Sequence, residues 1–146
     1  MNSENVNIGF IDPGGMGIFN KLVSCNADLK TDFERYLKEY YYDGDFTYRM
    51  PFQDMDQIGD LILKKLHSNQ TDFFQSFFTV VESILLDSDK KEKGLIIVGL
   101  FERLQKQTNS GITYSHLDKW LGPQSKKEWD ELIEFWSQKI EKPDEN

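Results

Sequence analysis

From Asp89 to Gln107 the chain reads DKKEKGLIIVGLFERLQKQ, charged at both ends and almost continuously apolar between Leu95 and Leu104. A helix with no polar face must be enclosed by other helices, so this stretch predicts the core helix of the fold. Around it, apolar residues recur at helical spacing. Phe33, Tyr36, Leu37, Tyr40 and Tyr41 form one stripe. The Thr31 and Glu34 pair before them predicts a helix over 31–42, because the two side chains can satisfy each other's free amides at a helix start. Pro51 suits a first helical turn, and Met55, Ile58, Ile62 and Leu66 carry the next helix to His67. Phe73, Phe77, Val80, Val81, Ile84 and Leu85 predict a further helix, and the short turn at Asn69-Gln70-Thr71 makes it antiparallel to its predecessor.

Beyond the core stretch, Ser115 can cap a short helix bearing Leu117, Trp120 and Leu121, stopped by Gly122 and Pro123. Ser125 and Glu128 read as a second capping box, followed by Trp129, Leu132, Ile133, Trp136 and Ile140. At the other end, glycines and Asp12-Pro13-Gly14 describe a loosely held arm over 1–27, within which Met16 to Val23 can form a short helix docking Ile18, Phe19 and Leu22. One helical domain is expected over 28–142, with a frayed tail at 143–146.

Ile58-Gly59 and Val98-Gly99 lie 40 residues apart, near the ~40 to 47 of HEAT and armadillo repeats. The expected fold is all-α, a short stack of antiparallel helix hairpins with a C-terminal capping helix. A plain helical bundle is the alternative.

Composition narrows the function. The 146 residues are 38% hydrophobic and 14% aromatic, which is a folded domain and not a disordered segment. No apolar run approaches the ~20 residues of a membrane span, and no leader pattern opens the chain, so a cytoplasmic location is expected. Cys25 is the single cysteine and two histidines offer no zinc spacing. Neither Gly14-Gly15-Met16-Gly17 nor Asp43-Gly44-Asp45 continues as a phosphate loop or a calcium loop. No nucleophile, base or metal set can be assembled, so no catalytic residue, cofactor or metal ligand is expected.

Net charge is −8 with a pI of ≈ 4.7, which opposes approach to nucleic acid or anionic lipid and favours cationic partners. From Asp28 to Asp60 nine acidic residues face four basic ones. That span can be a solvated helix face or a partner-facing surface. Tyr40, Tyr41 and Tyr42 cannot all point to the core, so at least one is expected at the surface. Tyrosine beside carboxylates suits a basic protein partner, and the candidate contact set is Tyr41, Tyr42, Asp43, Asp45, Asp54, Asp56 and Asp60.

Two segments, Val98 to Gln105 and Leu121 to Leu132 with Phe135-Trp136 following, resemble a family of small helical bacterial proteins encoded beside polymorphic or contact-dependent toxins. In the second, a Gly-Pro break, a capping serine and a tryptophan stripe fall in fixed order. The resemblance covers Thr31 to Ile140 and implies an immunity protein, not an enzyme, which binds and neutralises a cognate toxin domain; the acidity of the chain suits a basic toxin, such as a nuclease. It supplies no site residues. The competing expectation is a helical-repeat adaptor that binds another protein with no toxin involved; oligomeric state is left open.

Overall fold

The computed structural model describes residues 17–41, 49–106 and 114–141, and among these every regular element is helical. Helix α1 spans Ile18–Val23, α2 Ala27–Tyr40, α3 Pro51–His67 and α4 Phe74–Asp87. Lys90–Gly94, Leu95–Phe101 and Glu102–Lys106 run on as one rod, α5. Its middle section is π-helical, and the amide of Glu102 bonds the carbonyl of Ile97 five residues back. Tyr114–Trp120 is a 3₁₀ segment and Pro123–Glu141 is α6.

Ile18, Phe19, Leu22 and Val23 are all buried, so α1 docks on the packed body through the side chains expected of it. Helix α2 starts at Ala27 because Asn26, in extended conformation, accepts the amide of Leu29 at 2.9 Å. Leu29 is itself fully buried, so the stripe that continues through Phe33 and Leu37 has its first member there. The Thr31 and Glu34 pair therefore lies inside the helix and caps nothing.

Helix α6 likewise starts earlier than its local signal. Its first amides are capped from another helix: Glu82 on α4 accepts from the amides of Gln124 (2.9 Å) and Ser125 (2.8 Å) and from the Ser125 hydroxyl (2.7 Å). A carboxylate at a helix N-terminus meets both the free amides and the positive end of the dipole. Ser125 is fully buried by this contact, and Glu128 bonds Gln124 instead of closing a capping box. Edge-on ring contacts seat the same region, Phe101 against Trp129 and Phe74 against Trp120.

The tightest crossing joins α3 to α5. A β-carbon on Gly99 would stand 2.9 Å from Cγ of Met55, and one on Gly59 would stand 3.0 Å from Cγ of Arg103. Met55 faces Gly99 and, four residues further along both helices, Gly59 faces Arg103. The two helices therefore run parallel, and the two glycines that look like a repeat mark are the two sides of one contact. Leu95, Ile96, Leu100, Phe101 and Leu104 are buried, but Val98 is 50% exposed. The apolar rod is thus open to solvent on one side, not enclosed all round.

Candidate functional site

Asp54, the acidic residue in the first turn of α3, is fully buried. One carboxylate oxygen accepts from the hydroxyls of Tyr36 (2.8 Å) and Tyr41 (3.0 Å), and the other accepts from Nε of Arg49 (2.8 Å). Tyr41 in turn accepts the amide of Met50 at 2.9 Å. Arg49 lies with its guanidinium 5.2 Å from the ring of Phe19 on α1. This cluster ties the end of α2 and the start of α3 to α1. Burial pushes the phenols of Tyr36 and Tyr41 above the ordinary tyrosine range, and the Asp54 carboxylate adds to both. Both phenols remain protonated donors, which suits holding a structure together and not accepting a proton.

The candidate contact set divides accordingly. Asp54 and Tyr41 were expected at a contact surface and are inside the protein instead. Asp54 is four residues before Ile58 and so shares the core-facing side of α3, and Tyr41 follows it inward through its hydrogen bond. Tyr40 does reach solvent, 45% exposed, its ring set edge-on to Tyr41 and tilted over Tyr36. Tyr42, Asp43 and Asp45 lie outside the described residues. Asp56 and Asp60 are half-buried on the outer side of α3.

Those two aspartates belong to a ridge built by the α3 and α5 crossing. Phe52, Asp56 and Asp60 follow one another at four-residue spacing on α3, and Val98, Glu102 and Lys106 do so on α5. The rows are side by side. Asp56 senses the charges of Glu102, Arg103 and Lys106, while the Phe52 ring comes within 3.7 Å of where a Gly99 β-carbon would stand. Arg103 grips Asp60 with two bonds, 2.8 and 3.0 Å, and Lys106 pairs with Glu102 at 2.8 Å. No ion pair or hydrogen bond among the described residues closes on Asp56. Burial raises its carboxyl above the usual range, Arg103 opposes this, and Asp60 adds to it. Phe52 is 49% exposed, as Val98 is about equally. Neither was among the expected site residues, although Phe52 is in phase with Asp56 and off the Met55, Ile58, Ile62 stripe.

A groove of ≈ 500 Å³ between α2 and α3, lined in part by Arg35, Tyr36, Tyr40 and Lys64, meets a second of ≈ 450 Å³ that shares Asp32, Arg35 and Lys64. Asp32 there is bonded by Arg35 (3.1 Å) and approached by Lys65 (3.9 Å). Cys25 is half-buried, with its thiol pushed up by burial and directed at the carbonyl of Lys21, and His67 is exposed at the end of α3. Among the described residues no three His, Cys, Asp or Glu side chains are placed to hold a metal ion, and no helix is long and apolar enough to cross a membrane.

No curated protein and no solved structure matches the chain. Residues 19–137 match DUF7674, a domain of unknown function. That span opens inside α1 and closes in α6, taking in the Asp54 cluster and the ridge, and the chain belongs to the DUF7674 family.

Proposed function

We infer that this protein acts by binding another protein, as an immunity protein that occupies a cationic toxin domain and keeps its substrate out. The observation that carries this reading is the distribution of charge over Asp28 to Asp60. Asp54 is buried and answered by Arg49, while Asp28, Asp32, Glu34, Glu39, Asp56 and Asp60 all reach solvent against Lys30, Arg35 and Lys38. Among the described residues of this span the interior thus absorbs one neutral pair, and six acidic side chains against three basic ones remain outside. A toxin that attracts phosphates has the complementary sign, and complementary charge can raise association rates toward ~10⁸ to 10⁹ M⁻¹s⁻¹ at low salt. The likeness of Val98 to Gln105 and Leu121 to Leu132 to toxin-linked helical proteins supports the same reading, and a cytoplasmic location goes with it.

A helical-repeat adaptor is the second reading, favoured by the parallel course of α3 and α5. Successive hairpins in a stack place like helices side by side in that sense, with α3 and α4 as one pair and α5 and α6 as the next.

The two readings separate in a co-expression experiment. The gene beside this one should encode a large protein ending in a toxic domain. Cells producing that domain should survive when they also produce this chain, and the two should purify together. Absence of such a gene, or death despite soluble expression of both, would remove the immunity reading and leave the adaptor.

A further inference from the structure

Resting on that reading, we propose that the partner seats on the α3/α5 ridge: an apolar side chain of the toxin domain packs between Phe52 and Val98, and a neighbouring lysine or arginine closes on Asp56. The ridge is ordered for such an occupant. At one end the half-exposed side chains of Phe52 and Val98 stand over the crossing at Gly99, which is itself buried against Met55. One helical turn on stands Asp56, the carboxylate on which no described ion pair or hydrogen bond closes. A further turn on, Asp60 is already held by Arg103. A cation arriving over the ridge therefore finds its acceptor in the middle of the row and an apolar seat beside it, the combination of desolvated anchor and charge pairing that dominates protein interfaces.

A second copy of this chain is a poor occupant. Pairing two ridges would bring Asp56, Asp60 and Glu102 against their equivalents, on molecules that each carry a net charge of −8.

The test uses the full chain and the toxic domain encoded by the adjacent gene, titrated by calorimetry at low and high salt. Phe52→Ser with Val98→Ser should weaken binding at least ~30-fold while the melting temperature holds. Asp56→Asn should slow association several-fold and flatten its salt dependence. Should the double variant lose its fold, Val98→Lys serves in its place, since a half-exposed lysine can reach water yet repels a cationic partner. Wild-type binding with variants within threefold would overturn the ridge and leave the immunity reading standing. Lack of wild-type binding would overturn both. Self-association of the free chain that the serine variants abolish would also overturn the proposal, giving the ridge to a second copy.

Discussion

Asp54 and Asp56 stand two residues apart on α3 with the same side chain and opposite fates. Asp54 turns into the junction of α1, α2 and α3 and is saturated by two phenols and a guanidinium. Asp56 turns out toward α5, half-buried, with like and unlike charges around it and no bond to any of them. A step of two residues on a helix is a rotation of roughly 200°, enough to exchange interior for surface. The difference teaches that a run of acidic residues does not locate a surface. The phase of each residue against the apolar stripe does.

The strongest way to break the comparison is to remove the buried member. Asp54→Ala removes from the interior the carboxylate to which Arg49, Tyr36 and Tyr41 all donate, and should cost about 3–5 kcal/mol in urea denaturation. That is a large share of the ~5–15 kcal/mol available to a domain. A loss under 1 kcal/mol would mean that the cluster does not tie α1, α2 and α3 together.

The next largest effect lies at the floor of the ridge. Gly99→Ala sets a methyl group against Cβ and Cγ of Met55, at 3.0 and 2.9 Å, near the base of that side chain where little can give. It should destabilise by about 1–2 kcal/mol after the gain in helix propensity is counted. Gly94→Ala on the same rod meets nothing within 4 Å and should stabilise by about 0.5–1 kcal/mol. Equal effects at the two glycines would mean that α3 and α5 are not held in close approach.

How far the fold was readable follows from where each signal resides. Helix α3 was bounded correctly by Pro51 and His67, and α4 nearly so, because their start, stripe and stop are all local. The start of α2 was displaced because a Thr-x-x-Glu pattern outranked Asn26, the residue that has an extended backbone and a side chain aimed at a free amide. The start of α6 was displaced for a deeper reason: its cap is Glu82, about forty residues away, and no local pattern contains it. The site shows the same division. Asp54, Asp56 and Asp60 were grouped by charge density; the four-residue step from Asp54 to Ile58 puts Asp54 in phase with the core, but the groups that answer its charge, Tyr36, Tyr41 and Arg49, lie outside α3. The exposure of Val98 was hidden because an all-apolar run gives no phase from which to choose an open side.

Glu82 sharpens the comparison as a third carboxylate, partly buried like Asp56 but saturated like Asp54. Burial alone would raise its pKa, yet the bonds from Ser125 and Gln124 outweigh burial and hold it below the usual glutamate range. A depressed folded value means that its contribution is fully present above the unfolded value of ~4.3 and is lost as pH falls through the folded one. Denaturation midpoints of the wild type should therefore drop below about pH 4.3 more steeply than those of Glu82→Gln, which at neutral pH should itself be less stable by about 1 kcal/mol, the usual worth of a cap. Parallel acid profiles for the two proteins would show that the link between α4 and α6 is not electrostatic.

Asp56 should give the smallest effect and the opposite sign. Its folded pKa is raised, so ionisation opposes folding above that value, and stability is gained as pH falls from there toward the unfolded aspartate value of ~3.9. Replacing it by asparagine removes the charge without changing the shape, and should leave stability unchanged or raise it by at most about 0.5 kcal/mol at neutral pH. The small gain expected of the wild type on mild acidification should vanish with it. A carboxylate that stability would tolerate losing is one the fold does not require. A measured loss of 1 kcal/mol or more on Asp56→Asn would show instead that Arg103 or Lys106 holds it in solution, and would make Asp56 a structural residue like Asp54.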